Sequence, residues 1–554
     1  MEITTKKCRV LFLTLIILNI FYSAFAQTSQ NIIDNKSINS TTTNTEQLVL
    51  KTGHFIPDVV NYNQSGNIKF QAIITGGEPS EIYLQIDGLK HYLTNLGQNE
   101  GYGPEGIVYQ VSLDAQSLIS KLVENDVYRV FVGYLYIFRN GQQIARYNEF
   151  LQIWNENLPL VEINESPGGL FFSENIVNVV ADVNVDNYDA STITKCVYQD
   201  FSDNYDFISI VLIPGFNANR SFSSVKNEIQ GIGISNYDNS DYYGSEGKLK
   251  GIIRFPLPDF FDLGSQTISH EIGHKWINFL YGTPYESGIP HWPYCPQANG
   301  IMGFSIGGQG GAGGTFPYIL THNGDVFKFI PEDSPNNGRI FYDIDLYLIG
   351  MLPPENVTDK YIFKYSDSIP EINYPYSLND FIKYSIEDLI DKVGERKPTY
   401  RDSQKKFNML TIVVSPEPLT SIQFSFYDYF AKRSSSKEKL AIHEGFNKGL
   451  ENPFYLATQG LGEIDSKIAT FTGINEIPQS DIKFYPNPVV DILKVETNIS
   501  GFIEIINSIG TVILKQRMQA PNDYINVTTL PSGFYLIKVT QNSSRCRVFS
   551  VIKE

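Results

Sequence analysis

Basic residues are scarce in this chain of 554. Its 43 Lys and Arg stand against 60 Asp and Glu, a formal charge of -17 at pH 7. A nucleic-acid binder needs a basic footprint, so this balance argues against one. An anionic membrane surface would also repel the chain. Cysteine is scarcer still: Cys8, Cys196, Cys295 and Cys546 are too few for a disulfide scaffold. A single Cys196–Cys295 bridge stays open, and nothing in the sequence fixes it. No period of 20–50 residues repeats, which excludes a solenoid. What is abundant is apolar and aromatic side chain, 42% and 13% of the chain. That is ample for real cores and excludes wholesale disorder. The length predicts about three to four domains.

The one long apolar run lies at the N-terminus. Lys6, Lys7 and Arg9 precede Val10–Tyr22, which is apolar apart from Thr14 and Asn19, and Ala24-Phe25-Ala26 follows. This is the pattern of an export signal, 1–26, with cleavage before Gln27. The run is shorter than the roughly 20 residues of a spanning helix, so no transmembrane anchor is expected in the mature chain. Removing 1–26 leaves 40 basic against 59 acidic residues, a charge of -19.

Residues 27–48 are rich in Ser, Thr, Asn and Gln and read as a flexible leader. From 49 to 160 the runs Asn67–Thr75, Glu81–Asp87 and Val108–Leu113 are strand-like. Tyr128–Phe138 and Gln143–Trp154 flank Asn140-Gly141, a hairpin-turn signal. The expectation is an Ig-like β-sandwich acting as spacer or docking module. Residues 170–470 mix types. Phe207–Pro214 reads as a buried strand, Gly251–Phe255 as another, and Ser265–Tyr281, Phe381–Val393 and Leu440–Lys448 as helices. Beyond 482 six short runs, at 482–485, 490–497, 502–506, 512–516, 534–539 and 548–552, predict a second sandwich.

That last region carries a resemblance. Phe484-Tyr485-Pro486-Asn487-Pro488, Leu493, then Leu530-Pro531-Ser532-Gly533-Phe534-Tyr535 and a terminal Lys553-Glu554 resemble the C-terminal sorting domain of the type IX secretion system. The resemblance covers 482–554. It implies a Gram-negative bacterium of the Bacteroidota type, passage through the periplasm, engagement of the type IX machinery, and release or attachment at the cell surface. Adhesins and enzymes share such tails, so this is an address and not a function.

The chemistry concentrates in three of only seven histidines. His270-Glu271-Ile272-Gly273-His274 is an HExxH on a predicted amphipathic helix, which Ser265 could cap and Gly282 could close. Imidazoles four residues apart share a helix face and can hold one zinc, while the intervening Glu can act as general base. Gly273 costs about 1 kcal/mol of helix propensity against Ala, and a small residue there could leave room beside the metal. The motif resembles the zincin clan of metallopeptidases. The resemblance implies an α+β catalytic domain with the motif helix under a twisted sheet, and an edge strand that pairs with the substrate. Gly251–Phe255 is the candidate for that strand, with an interior strand as the equal alternative. It also implies a third metal ligand from a following segment. The metzincin offsets hold Ile277 and Leu280, so that subclass fails. His291 is the favoured third ligand, with Glu286, Asp343 and Asp345 as alternatives. His322 and His443 read as surface residues.

Further segments have weaker readings. Asn299-Gly300-Ile301-Met302-Gly303 could form an apolar floor similar to a Met-turn, or simply pack a core. Phe341–Met351 with Pro353-Pro354 resembles a segment of some exported bacterial metallopeptidases, a likeness spanning about 200–465 that implies no substrate. The Gly-rich run Ile306–Thr315 lacks a GK[ST] ending and is no phosphate loop. Asp238–Gly247 could offer oxygen ligands to calcium but misses EF-hand spacing.

The expected chain is multidomain: an N-terminal β-sandwich, a central zincin-like α+β domain, and a C-terminal sorting sandwich. The expected activity is a secreted zinc endopeptidase acting on protein or glycoprotein. Zinc sits on His270, His274 and His291, Glu271 is the base, and Tyr281, Tyr294 or Tyr342 is the oxyanion donor. The alternatives are a non-catalytic zincin-like adhesin and a zinc hydrolase acting on a glycoconjugate.

Overall fold

Asn140 and Gly141 both adopt the left-handed backbone, φ 52° and 76°. That is the geometry a two-residue hairpin needs to match strand twist. It joins Tyr128–Arg139 to Gln142–Trp154, the longest strand pair of the N-terminal region. A computed structural model describes residues 48–61, 66–98, 106–120, 128–154, 160–166, 168–181, 189–213, 220–256, 267–306, 309–314, 318–331, 339–365, 370–438, 452–468, 475–476, 482–497, 501–507, 511–518, 522–542 and 545–554. The expected signal segment, the leader through 47, Ser265, His443 and the Leu440–Lys448 helix lie outside the described residues. So do the side chains of Cys8 and Cys546. The described chain is mostly β-sheet with few helices.

The N-terminal region is two sheets. One runs Val49–Ile56, Asn67–Thr75, Ile107–Asp114, Thr94–Gln98. The other runs Val59–Asn61, Gln142–Trp154, Tyr128–Arg139, Glu81–Ile86, Leu89–Tyr92. Alternate residues such as Phe55, Phe70, Leu84, Leu135 and Leu151 meet in one core between them, as period-two patterning requires.

The central region is built on one mixed sheet. Ile176–Val180, Lys406–Ser415, Phe207–Leu212 and Gly251–Pro256 lie side by side in parallel. Phe207–Leu212 is buried at every position, as expected for a strand covered on both faces. Ile208, Ile210 and Leu212 face the helix Ala190–Tyr198. Phe207 and Val211 face the opposite core, which holds Ile268, Ile272 and Trp276 of the HExxH segment.

One expectation is corrected and two open readings are decided. Of the edge and interior readings of Gly251–Phe255, it is not the edge strand. It is flanked by Phe207–Leu212 and by Ser221–Ser224, which pairs antiparallel and forms the edge. The run at 381–393 is not one helix. Phe381–Tyr384 is a strand paired with Lys360–Phe363, and the helix begins only at Ile386. The Ser385 hydroxyl accepts from the Asp388 N–H while Asp388 accepts from the Ser385 N–H, a reciprocal cap that starts the helix there. Cys196 and Cys295 are free thiols, so the open bridge is absent.

The N-terminal sandwich is tied to the central region by buried polar contacts. The buried Asp58 carboxylate accepts from Gln423 Nε2 at 2.7 Å and from the Tyr427 hydroxyl. Both donors lie on the central helix Ser421–Arg433. Val59 belongs to the central core and not to the sandwich core.

The C-terminal region is a five-stranded and a three-stranded sheet around Leu493, Val495, Ile503, Ile505, Ile537 and Val539. All six predicted runs contain strands, and two more join them: Asn522–Asn526, which its weak alternation hid, and the short Asn475–Glu476, which pairs with Arg545–Lys553. Among the described residues no helix is long and apolar enough to cross a membrane.

Candidate metal centre

The HExxH helix ends earlier than the apolar pattern predicts. Among the described residues it spans Thr267–Gly273 and does not run on to Tyr281. Beyond it the bonds tighten: His274 N–H reaches the Glu271 carbonyl and Lys275 N–H the Ile272 carbonyl, the three-residue step common at helix ends. Asn278 then anchors the chain beyond the helix. Its N–H donates to the Pro290 carbonyl, and its amide Nδ2 donates to the carbonyls of Tyr285 and His291 at 3.1 and 2.9 Å. A fully buried side chain thereby ties the segment after the helix to the loop that returns. Thr283 donates to the Leu280 carbonyl, and the Tyr285 ring meets Trp292 edge-on at 5.1 Å. The hairpin closes where Gly288 approaches the Pro293 nitrogen, 2.2 Å from where a Cβ would stand.

This return brings His291 back over the helix. The Nε2 of His270 lies 3.3 Å from that of His274 and 3.2 Å from that of His291. The three ring centroids are 4.9, 5.1 and 5.0 Å apart, a nearly regular triangle. Among the described residues this is the one cluster of three His, Cys, Asp or Glu that could hold a metal. Zn–N bonds of about 2.0–2.1 Å in a tetrahedron separate ligand nitrogens by about 3.3 Å. The donor set therefore fits that ion.

The protonation states fit as well. Burial pushes His270 well below the ordinary imidazole range, with the neighbouring His274, His291 and Arg220 acting in the same sense. Burial takes His274 down to about 4, against a hydrogen bond to the Ile277 backbone. Burial takes His291 down to about 3, with His274 and Arg220 adding to it. All three are neutral at pH 7, the form that binds metal. His270 Nδ1 donates to the Ile301 carbonyl at 2.7 Å. That fixes the tautomer and turns a bare Nε2 lone pair inward.

Residues 299–303 lie directly against the motif. Met302 is fully buried, and its Sδ is 2.2 Å from where a Cβ on Gly273 would stand. Gly273 thus makes room for Met302. Met302 belongs to the buried core beside Ile272 and Trp276, the core-packing reading of this segment.

Glu271 is buried beside His270, and its Oε1 pairs with Arg220 Nε at 3.1 Å. The remaining ligand alternatives are engaged elsewhere. Glu286 accepts from the Gly282 N–H at 2.9 Å. Asp343 pairs with Lys360 at 2.6 Å and accepts from Thr358. Asp345 accepts from the Trp292 indole at 2.9 Å and the Tyr342 N–H at 2.8 Å. Burial raises Asp345 to about 7. It supports the residue next to His291 instead of joining the triangle.

Of the tyrosines, Tyr281 is 62% exposed. Tyr294 is buried edge-on to Phe329 and Phe363. Tyr342 lies over Gly300. The exposed His322 stacks on Phe327. In the calcium candidate, Asp238 is already paired with Lys226 at 3.1 Å and accepts from Ser240. The Gly-rich run forms a ribbon of Phe304–Ile306 with Gln309–Gly314.

Sequence reasoning missed Asn278, Arg220 and the supporting role of Asp345. Asn278 left a signal, as the lone polar residue in Trp276-Ile277-Asn278-Phe279-Leu280. Arg220 left none.

Residues 483–553 match the family described as the secretion system C-terminal sorting domain. That domain indicates a secreted or cell-surface protein and a secretion-machinery partner. No curated protein matches the chain. Among solved structures, one described as "Biofilm associated protein - BSP domain" aligns over 94% of this chain and 84% of its own. It shares 9% identity at a TM-score of 0.14, a likeness that carries no argument.

Proposed function

We propose that this chain is a secreted zinc-dependent endopeptidase acting on extracellular protein, its metal held by His270, His274 and His291. One observation carries the reading: three neutral imidazoles converge at 3.2 and 3.3 Å with a buried carboxylate, Glu271, beside them. Zinc bound there supplies a Lewis acid that polarises the scissile carbonyl and lowers the pKa of water to about 7. Glu271 takes a proton from the attacking water and passes it to the leaving amine nitrogen. The Ile301 carbonyl keeps His270 in the required tautomer. Asn278 and Asp345 hold the returning loop that carries His291.

The antiparallel edge strand Ser221–Ser224 takes the substrate-pairing role first expected of Gly251–Phe255. An extended peptide can add to such an edge through main-chain hydrogen bonds. The central sheet, with its parallel strands, antiparallel edge and motif helix, supports a zincin-like domain.

The test is Glu271→Gln. It should keep one zinc per chain and lose casein or gelatin hydrolysis by about 10²–10⁴ in rate. A variant that cleaves as fast as wild type removes Glu271 from the reaction.

A further inference from the structure

Arg220 immediately precedes the edge strand Ser221–Ser224 and reaches Glu271 of the motif helix. Its Nε lies 3.1 Å from Glu271 Oε1, with the Arg side chain 22% exposed and the Glu side chain 5%. Two elements far apart in sequence thus meet through one charge-assisted hydrogen bond at the proposed base. A buried carboxylate is costly unless paired. The pairing also has a geometric effect. The carboxylate torsion of Glu is broad, with no sharp rotamer of its own. A donor on one oxygen fixes how the carboxylate plane faces the imidazole triangle.

We propose that Arg220 is a positioning residue: it holds Glu271 in the orientation from which the carboxylate can receive and then deliver a proton. This deepens the hydrolase reading and rests on it. A base that must face first the attacking water and then the leaving nitrogen loses rate steeply when misoriented. Arg220 also joins this orientation to substrate binding, because a peptide added along Ser221–Ser224 runs past the residue at the head of that strand.

The experiment uses the full exported chain and four proteins: wild type, Arg220→Ala, Glu271→Gln and the double variant. The expected kinetics are one zinc per chain in all four, and in Arg220→Ala a kcat lower by about 10–10² with KM nearly unchanged. Arg220→Lys and added guanidinium should each restore part of the rate. In the Glu271→Gln background, removing Arg220 should cost no further rate. A second readout needs no turnover. In metal-free protein the melting-temperature losses of the two single variants should be strongly non-additive, as for contacting residues. Additive melting shifts, or unchanged kcat in Arg220→Ala, overturn the inference while leaving the hydrolase reading intact. Loss of zinc in Arg220→Ala would assign Arg220 to metal retention and also overturn it. A zinc-loaded wild type as inert as Glu271→Gln on every protein substrate overturns both.

Discussion

The C-terminal sandwich and the central region both rest on β-sheet, yet they differ in what they bury. Among the described residues of 482–554 the buried polar side chains are Thr497 and Lys553. The central region buries His270, Glu271, Lys275, Asn278, His291, Asp345, Arg396 and Asp428 among others. Burying a polar group costs free energy unless it is partnered, and a charge costs far more. A sandwich that avoids the cost is defined by its apolar core alone, which suits a module read by a secretion machine. A region that accepts the cost repeatedly, and at one point without any apolar reason, is where chemistry is to be sought. The three-imidazole cluster is that point: no packing demand requires three mutually facing Nε2 atoms.

The strongest way to sharpen this contrast is to remove one side of it. Deleting 482–554 should abolish delivery outside the cell, read as loss of the protein from medium and cell surface. Zinc content and hydrolysis by the remaining chain should be unchanged. Normal export of the truncated chain would break the division of roles.

A second prediction probes the packing behind the HExxH helix. Gly273→Ala places a methyl 2.2 Å from Met302 Sδ. Overpacking of this kind costs about 1–3 kcal/mol, so the melting temperature should fall. Met302→Ala in the same chain should recover part of the loss. If the two substitutions act additively, Met302 is not what Gly273 accommodates.

A third concerns the support of His291. Asp345→Ala leaves the buried Trp292 indole N–H without its acceptor. An unmet buried donor costs about 1–3 kcal/mol, seen as a lower denaturant midpoint. Zinc should still bind, more weakly than in wild type, because Asp345 is support and not ligand. Complete loss of zinc would move Asp345 into the ligand set.

The smallest expected effect lies at the seam between the N-terminal sandwich and the central helix Ser421–Arg433. Burial raises Asp58, against hydrogen bonds from Tyr427 and Gln423. Burial raises Glu149 well above its usual range, and Asp58 adds to it. Both groups hold protons more tightly folded than unfolded. The stability they contribute is therefore full below about pH 4, the unfolded value, and is lost as pH rises through the raised folded values. Glu149→Gln should accordingly raise the melting temperature by more at pH 8 than at pH 5. A difference independent of pH would show that Glu149 is not carrying this linkage.

The two regions also differ in how far their sequences reveal them. The C-terminal runs were legible because each strand is local, with alternation bounded by Gly, Pro and Asn. The Asn140-Gly141 hairpin and the all-apolar FISIVL strand were legible for the same reason. In the central region the motif marked its own helix, and His291 was favoured by its residue type and by the turn-rich loop that carries it, with Glu286, Asp343 and Asp345 left open. The helix end was not legible, since Trp276, Ile277, Phe279 and Leu280 continue the apolar pattern that Asn278 interrupts through a long-range bond to Pro290. The edge strand was not legible either. GIIRF has the stronger strand composition, but edge position depends on which strand finds a neighbour on both sides. Arg220 meets Glu271 across 51 positions of chain, and no local pattern announces such a contact.

The measurement that tests the central claim most directly is zinc content by elemental analysis, for wild type, His291→Ala and Glu286→Ala, after dialysis against increasing chelator. The account predicts one zinc per wild-type chain, retained equally by Glu286→Ala and lost from His291→Ala at chelator concentrations that leave the other two loaded. Wild-type protein that carries no zinc and takes none up, or a His291→Ala variant that holds zinc as tightly as wild type, would contradict it.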